Sequence, residues 1–532
     1  MKSQLLILDF GSQYTQLIAR TVRELGVYCE IVPGNLSFEK FTSYQPTAII
    51  LSGGPASVNI EGSPKVDSRI LSLGLPIFGI CYGMQLLAEA LGGKVGGWSR
   101  DGLKGEGASE SSSDMREFGR AVLNITTAKG IFEKFSLGQE TEVWMSHGDK
   151  VTQLPTGFES LAASAGSPCA AFCDQNRKIY GVQFHPEVHH TPKGKDILSG
   201  FIFNVANLKK DWDPGSFINK TVESVIQKVP TGNVVCGLSG GVDSTVAAVL
   251  VHKAIGMRLH CIFVDNGLLR KDEAQEVVEM MKTLGLNLHF VDASERFLKA
   301  LDGITDPEKK RKAIGHMFID VFEDEAQRID AMGISAVKYL VQGTLYPDVI
   351  ESVSVIGQAV TIKSHHNVGG LKENMKLELI EPLRELFKDE VRKIGHELAI
   401  PDSFLYRQPF PGPGLAVRCL GPLTNERLDK LRVADKIVRD EVEKAGLNKE
   451  IWQSFAVLLP VQSVGVMGDG RTYEECIAIR AVTSRDGMTA DWYMFPEELL
   501  RRMSSRIVNE TTGVNRVVLD ISSKPPSTIE WE

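Results

Sequence analysis

Short apolar runs alternate with amphipathic stretches over the first two hundred residues. Apolar runs bounded by Gly, Pro or polar residues predict buried strands, while residues 13–25 and 84–91 have the apolar spacing of helices. Strands that alternate with helices favour a mostly parallel sheet with helices packed on it. The strands predicted in this block are residues 5–8, 28–32, 48–51, 77–80, 143–145 and 179–184.

The alternation resumes after a polar break at residues 208–214, where we place a linker. From about residue 406 the pattern instead predicts a small α+β domain, with a helix at 424–445 and a closing strand at 517–521. The predicted fold class is therefore α/β, with two doubly wound, mostly parallel sheet domains followed by a C-terminal α+β domain. The predicted domains are residues 1–205, 206–405 and 406–532.

Composition narrows the class of protein. The 532 residues are 43% hydrophobic and 24% charged, and the net charge of −8 argues against a nucleic-acid partner bound by phosphate neutralisation. No apolar run approaches the length of a membrane span, and the apolar run before Asp9 is short enough to favour a strand over a signal peptide. Eight cysteines without a CxxC pair are typical of a reducing compartment, so we expect a cytoplasmic protein.

Residues 234–245 (VVCGLSGGVDST) combine a buried strand, a glycine turn and the start of a helix. Main-chain N–H groups converge at such a turn, and the helix dipole adds partial positive charge, so the segment predicts a phosphate site. It is not a Walker A loop, because GxxxxGK[ST] is absent from the sequence. Ser239 and Ser244 offer hydroxyl groups, and Asp243 can bind a magnesium ion. The alternative is an ordinary βα turn.

A second sharp turn is predicted around Cys81, where a buried strand ends and a helix begins directly after Gly83. This is the layout of a nucleophile elbow, with cysteine in place of serine. A helix N-terminus favours the reactive thiolate. A single cysteine after a strand is more often a core residue. The catalytic interpretation therefore depends on partners elsewhere in the chain.

Such partners follow the predicted strand 179–184. His185 can act as the base and Glu187 as the group that orients it, because strand ends are where α/β folds assemble their sites. Residues 52–55 (SGGP) follow another strand and can present main-chain N–H groups to an oxyanion. The combination indicates a cysteine nucleophile with a complete catalytic triad.

Residues 79–85 with 185–187 resemble the class I (triad) glutamine amidotransferase family, whose other signature loops match residues 52–55 and 145–149. The resemblance implies that Cys81 attacks the glutamine carboxamide to give a thioester and ammonia. One departure is a Gly/Ser-rich insertion at residues 98–114, which predicts a mobile surface loop. The resemblance implies oxyanion and glutamine contacts at Gly53, Gly54, Tyr82, Gln85, Ser146, His147 and Gln183.

The SGGVDS sequence at residues 239–244 resembles the pyrophosphate loop of the ATP-pyrophosphatase (PP-loop) family. That family cleaves ATP between its α and β phosphates and adenylates a substrate. The resemblance implies that Val264 lies near adenine and that Mg²⁺ binds with ATP at Asp243. The implied phosphate contacts are Ser239, Gly240, Gly241, Val242, Asp243 and Ser244.

The order of these domains resembles the GMP synthase family, together with the motifs at residues 346–352, 365–367, 410–414 and 524–532. The resemblance implies that Mg-ATP adenylates XMP and that ammonia then displaces AMP. It further implies a homodimer formed through the C-terminal domain, and a loop carrying Lys363 that closes over the site. The implied XMP contacts are Arg311, Gln453, Lys524 and Glu530.

Two other classes remain open. A tRNA-thiolating PP-loop enzyme usually needs catalytic cysteines in the PP-loop block, and here that block contains only Cys236 and Cys261. A non-catalytic nucleotide-binding protein descended from an enzyme would not need the intact triad. The adjacent His365 and His366 suggest a metal site, but no third ligand follows at a usual spacing. The basic run at 309–312 is also typical of a solvated helix face.

Overall fold

The computed structural model describes residues 4–96, 117–332, 336–352, 377–467, 470–484 and 489–532. The insertion at 98–114, Lys363 and the pair His365 and His366 therefore lie outside the described residues. The described residues form two compact units, one made of residues 4–216 with 350–352 and the other of residues 217–349 with those described from 377 to 532. No helix in the described ranges is long and apolar enough to cross a membrane.

The strands of the first unit include every strand predicted there. In chain order they are β1 Leu5–Asp9, β2 Cys29–Pro33, β3 Ala48–Leu51, β4 Ile77–Ile80, β5 Lys94–Gly96, β6 Glu117–Ile125, β7 Glu140–His147, β8 Lys150–Gln153, β9 Glu159–Ala163, β10 Ala171–Asp174 and β11 Ile179–Val182. The helices are α1 Thr15–Glu24, α2 Phe38–Tyr44, α3 Ser68–Leu71, α4 Tyr82–Ala90 and α5 Gly194–Ser199, the last continued by π-helical residues Gly200–Val205.

Nine of the described strands form one sheet in the order β2-β1-β3-β4-β11-β10-β9-β6-β7. The pairings from β2 to β11 are parallel, and those from β11 to β7 are antiparallel. The parallel strands β3, β4 and β11 are buried throughout, as expected when both faces of a sheet are covered. Their carboxyl ends meet at one edge, where the predicted triad lies.

The second unit begins with a fully parallel sheet in the described residues. Its strands are β12 Asn233–Leu238, β13 Leu259–Asp265, β14 Leu288–Asp292, β15 Val337–Val341 and β16 Glu378–Ile380, in the order β14-β13-β12-β15-β16. The helices are α6 Pro214–Lys228, α7 Val242–Ile255, α8 Glu273–Thr283, α9 Ser294–Ala300, α10 Pro307–Ala331, α11 Tyr346–Ser352, α12 Lys388–Glu397 and α13 Asp402–Leu405.

The C-terminal part of this unit is an α+β arrangement. Its elements are α14 Asn425–Lys444, β17 Gln453–Met467, β18 Gly470–Thr483, β19 Asp491–Trp492, α15 Glu497–Glu510 and β20 Val514–Asp520. β18 pairs antiparallel with β17 and β19 and parallel with β20. One buried cluster joins Ile262 of β13 and Ile314 of α10 to Leu431 of α14 and Ile479 of β18. The predicted α/β fold class is confirmed, and the antiparallel half of the first sheet was not foreseen.

Candidate active site

Cys81 occupies a strained turn between β4 and α4. Its φ angle is +51°, in the left-handed region that a residue with a side chain rarely adopts. A Cβ on Gly79 would lie 2.6 Å from the Gly83 carbonyl carbon, and a Cβ on Gly83 would collide with the Leu51 carbonyl oxygen. Only glycine fits at both positions. The sequence thus forms the sharp elbow that places a nucleophile at the carboxyl end of a sheet, where Cys81 is buried.

His185 and Glu187 form a buried pair just after β11. The Nδ1 atom of His185 lies 2.7 Å from Oε1 of Glu187, and the Glu187 side chain is 0% exposed. Burial disfavours a charged His185 ring, but Glu187 and a hydrogen bond with Cys81 outweigh burial and raise its pKa well above 6.5. The Tyr14 ring packs edge-on against the imidazole at 5.0 Å. The three predicted triad residues therefore meet in one site.

The predicted glutamine contacts surround Cys81. Gln183 Nε2 donates to the Cys81 sulfur at 3.7 Å, and that sulfur lies 3.8 Å from the Ser146 carbonyl oxygen. Gln85 Nε2 donates to the Asp149 carbonyl oxygen at 2.8 Å. The contacts with Ser146 and Asp149 connect the Cys81 turn and α4 to the end of β7 and to the loop that follows it.

The predicted oxyanion groups lie on two sides of the triad. A Cβ on Gly53 would lie 3.1 Å from Cε1 of His185, and a Cβ on Gly54 would lie 2.7 Å from the Phe10 carbonyl oxygen, so the loop approaches both closely. The Tyr82 hydroxyl donates to the Pro64 carbonyl oxygen at 2.5 Å. The Tyr82 side chain is therefore engaged elsewhere, and its main-chain N–H at the start of α4 is the group suited to an oxyanion.

Glu117 is a neighbour of the site that the sequence analysis missed. Its carboxylate lies 3.2 Å from Nε2 of His147 and accepts hydrogen bonds from Ser164 Oγ at 2.9 Å and from Gly166 N at 3.0 Å. Burial opposes the charge, but His147 and these donors lower the Glu117 pKa. Glu117 faces His147 because β6 pairs with β7. No local motif indicates that pairing.

The second site is the turn between β12 and α7. Gly240 has φ +73°, and the hydroxyls of Ser239 and Ser244 lie 3.1 Å apart across the turn. The Gly241 N–H donates to Ser239 Oγ at 3.3 Å. Val242 begins the fourteen-residue helix α7. The predicted strand, glycine turn and helix N-terminus are all present, and they direct hydroxyl and N–H groups into one cradle.

Asp243 has one oxygen suited to a cation. Its Oδ1 is buried and accepts no hydrogen bond from any residue that the structure describes, while Oδ2 lies 3.5 Å from Nζ of Lys388. Lys388 reaches the loop from α12 and was not found by sequence reasoning, because it is far from Asp243 in the sequence. Val264 is buried near the end of the neighbouring strand β13. Asp243 and Lys388 therefore place one negative and one positive side chain beside the phosphate cradle.

The remaining predicted residues belong to the C-terminal tail, residues 521–532 after β20, or contact it. Gln453 Nε2 donates to Glu530 Oε1 at 2.8 Å, and Arg311 Nη2 donates to the Glu532 carbonyl oxygen at 2.6 Å. Lys524 lies on the same tail and bonds through its main chain to Ala490 at 2.7 Å. All four predicted residues therefore belong to the tail, as Lys524 and Glu530 do, or donate a hydrogen bond to it, as Gln453 and Arg311 do.

Arg418 is a further tail contact that the sequence did not indicate. It is fully buried and donates from Nε and Nη2 to the two Glu530 oxygens at 3.0 and 2.8 Å. The guanidinium also lies over the Phe455 ring, 3.9 Å from its centroid. A single arginine in an apolar segment has no motif of its own, so only the fold reveals this contact.

Fold and sites together define an amidotransferase that joins a thiol glutaminase to a PP-loop nucleotide-binding domain. Residues 6–205 match the family Glutamine amidotransferase class-I, residues 216–316 match NAD synthase, and residues 440–531 match the GMP synthase C terminal domain. The chain belongs to the glutamine-hydrolysing GMP synthase family. The predicted class of enzyme, a glutamine-hydrolysing carbon–nitrogen ligase, is confirmed.

Curated relatives support the family assignment over the whole chain. The sequence is 55% identical over 530 residues to "GMP synthase [glutamine-hydrolyzing]" of Brachyspira hyodysenteriae, with 99% of each chain covered. It is 57% identical to the protein of the same name from Rhizobium etli, covering 99% of this chain and 98% of the relative. The protein of that name from Nitratidesulfovibrio vulgaris is 55% identical over 532 residues, covering 100% of this chain and 99% of the relative.

Proposed function

We propose that the chain makes GMP by hydrolysing glutamine to ammonia, adenylating XMP with Mg-ATP and aminating the adenylate, with release of AMP and pyrophosphate. The observation that carries the proposal is the arrangement of Cys81, His185 and Glu187 at the carboxyl end of the first sheet, in the same chain as an intact SGGVDS loop. Ammonia generation without an acceptor would not need the second site. Adenylation alone would not need the triad.

In the glutaminase step, the Cys81 thiolate attacks the carboxamide carbon of glutamine. The oxyanion that forms is placed to accept from the main-chain N–H of Tyr82 and from the Gly53–Gly54 turn beside His185. His185, kept protonated by Glu187, gives its proton to the departing ammonia. A water molecule then attacks the thioester with His185 as the base, and glutamate leaves. Gln85, Ser146, His147 and Gln183 bind the substrate glutamine in this proposal.

In the synthetase step, the loop at 239–244 binds the pyrophosphate end of ATP, and Val264 contacts the adenine side. The hydroxyl and N–H groups of the loop are donors to phosphate oxygens. The unpartnered Oδ1 of Asp243 fits a magnesium ion, since a buried carboxylate oxygen otherwise loses its hydration without compensation. When bound, the ion would offset phosphate charge. Lys388 supplies a second, fixed positive charge at the same carboxylate.

We further propose that XMP is bound at the tail by Arg311, Gln453, Lys524 and Glu530. Arg311 and Lys524 are cations, which suits a nucleotide phosphate. Gln453 and Glu530 already share a hydrogen bond and present amide and carboxylate groups suited to a base or ribose. Lys363 belongs to the proposed closing loop. The homodimer is supported by a row of exposed apolar side chains on the long β17–β18 pair: Val461, Val464, Val466 and Tyr473.

The proposed domain boundaries remain near residues 205 and 405, and the proposed location is the cytoplasm. A tRNA-thiolating activity is disfavoured by the two cysteines near the PP loop. Burial raises the pKa of Cys236, and it raises that of Cys261 to about 12. Neither thiol is therefore suited to attack or to carry sulfur. We therefore propose amination of XMP by ammonia and not sulfur transfer to tRNA.

The test is the substitution Cys81→Ala, assayed with two nitrogen sources. Glutamine-dependent GMP formation should be lost, while formation from ammonium salts with ATP and XMP should remain near the wild-type rate. AMP release should require XMP in both proteins. Loss of the ammonium-dependent reaction in a folded variant, or AMP release without XMP, would contradict the two-site proposal.

A further inference from the structure

The segment just after β13 connects the two proposed nucleotide subsites of the second unit. β13 ends at Asp265, one residue beyond Val264, and the chain then runs directly into residues 266–270. Leu268 accepts a hydrogen bond through its carbonyl oxygen from Leu415 N at 2.8 Å, and Gly267 O accepts one from Arg432 Nη2 at 2.6 Å. The segment is therefore fixed to the 410–414 loop region and to α14.

Arg270, the last residue of this segment, is 6% exposed and contacts the groups around the tail. Its guanidinium lies over the Phe410 ring, 4.2 Å from the centroid, and Nη2 donates to the Pro409 carbonyl oxygen at 3.5 Å. Gln453 donates to that same Pro409 oxygen at 3.1 Å and to Glu530 at 2.8 Å. Arg270 and a proposed XMP ligand thus share one acceptor.

A second connection runs through buried charges. Arg270 Nε lies 3.7 Å from Asp435 Oδ2, and Arg418 Nη1 lies 3.7 Å from Asp435 Oδ1. Arg418 in turn donates to Glu530 at 2.8 Å. The side chains of Asp435 and Arg418 are 0% exposed. Charges of alternating sign therefore extend from the end of the β13 segment to the tail, with little solvent to screen them.

We propose that Arg270 is a positioning residue that couples the two nucleotide subsites, setting Gln453 and Glu530 from the segment that follows the ATP-contacting strand. The proposal rests on the proposed function, because it assumes that Val264 lies at the ATP subsite and that Gln453 and Glu530 bind XMP. A nucleotide that contacts Val264 and shifts residues 264–270 would move Arg270, and through Pro409 and Asp435 would reposition the XMP ligands. Each nucleotide would then raise the affinity for the other by the same factor.

The experiment measures XMP binding to the full-length protein by calorimetry, with and without a non-hydrolysable ATP analogue and Mg²⁺. In the wild type the analogue should tighten XMP binding about tenfold, within the usual range of coupling between sites. Arg270→Met should reduce that factor to about one. Asp435 keeps Arg439, at 3.0 Å, and Arg418 as counter-charges in this variant, so the fold should survive.

Two further variants serve as a second test of Arg270 and as a control. Phe410→Leu removes the ring that Arg270 covers and should also reduce the factor if Arg270→Met fails to fold. Arg296→Gln is the matched control, because Arg296 is 48% exposed and pairs only with Asp324 among the contacts that the structure gives it. Its coupling factor should equal that of the wild type. The melting temperature of each variant, measured without ligands, identifies a general loss of structure.

The outcomes separate this inference from the proposed function. Gln453→Ala should weaken XMP binding at least tenfold with or without the analogue; unchanged binding would refute the proposed XMP site itself. If Gln453→Ala behaves as expected but the wild type shows no coupling, the inference is wrong. It is equally wrong if a folded Arg270→Met or Phe410→Leu keeps the full factor.

Discussion

Replacing Glu187 by glutamine removes a buried charge while keeping the shape of the side chain. Glu187 Oε1 lies 2.7 Å from His185 Nδ1, and its side chain has 0% exposure. A hydrogen bond to a charged group contributes about 1.5–3 kcal/mol, and the absence of solvent places this one near the upper end. Because about 1.36 kcal/mol corresponds to a tenfold change in rate, the glutamine-dependent rate of Glu187→Gln should fall about 100-fold.

The pKa of His185 determines the direction in which the pH–rate profile of Glu187→Gln should move. Against the effect of burial, the Glu187 charge raises the pKa of His185, so the imidazolium that protonates ammonia persists to higher pH. Without that charge the pKa falls, and the basic limb of the glutamine-dependent rate should move to lower pH. The assay compares glutamate release and GMP formation from glutamine with GMP formation from ammonium salts, which should not change. A glutamine-to-ammonium activity ratio within about threefold of wild type would refute the reasoning.

Two other substitutions test the turns of the two sites. Gly83→Ala should lower the melting temperature and abolish glutaminase activity. The added Cβ collides with the Leu51 carbonyl oxygen, at a cost of about 1–3 kcal/mol in the free energy of unfolding. An unchanged melting curve in calorimetry would contradict the close packing at this elbow. Asp243→Asn should reduce XMP-dependent pyrophosphate release at least 100-fold with either nitrogen source and raise the Mg²⁺ concentration needed for half-maximal rate. Full activity at ordinary Mg²⁺ would exclude the metal role.

The features that the sequence predicted well are local in the chain. The elbow at Cys81 and the phosphate turn at 239–244 each combine a strand end, glycines and a helix start within a few residues. His185 and Glu187 are two positions apart and directly follow β11. In such segments backbone sterics and hydrophobic period act on the same few residues, so the pattern determines the structure.

The missed strands have weaker patterns. β6 alternates exposed and partly buried residues over most of its length, and it includes the exposed Phe118 and Val122. Such a strand pairs with β7 and β9 through main-chain hydrogen bonds, which any sequence supplies. β6 was therefore invisible to a search for buried apolar runs, although its partner β7 was predicted in part at residues 143–145. Glu117 was missed for the same reason, because its contact with His147 depends on that pairing.

Lys388 and Arg418 show a further limit of sequence reasoning. Each contacts a proposed ligand residue from a different element, Asp243 for Lys388 and Glu530 for Arg418. A charged residue in a helix or a loop is usually solvated, so composition alone places these two on the surface. Only packing of α12 on α7, and hydrogen bonds that hold the tail to Arg480 of the C-terminal sheet, bring them to the sites. Long-range contacts of this kind carry no local signal.

The buried charges between Arg270 and Glu530 are better explained by positioning than by stability. Removing charges such as those of Asp435 and Arg418 from water costs several kcal/mol per ion, and well-packed apolar residues often serve stability as well or better. The cost of burial lowers the pKa of Arg270 to about 10, even though Asp435 opposes that change. A hydrogen-bonded ion pair sets an orientation that an apolar core does not, as Arg418 does by donating to both Glu530 oxygens. In the coupling that we propose, XMP binds more tightly when ATP is present, and such oriented contacts would transmit that effect.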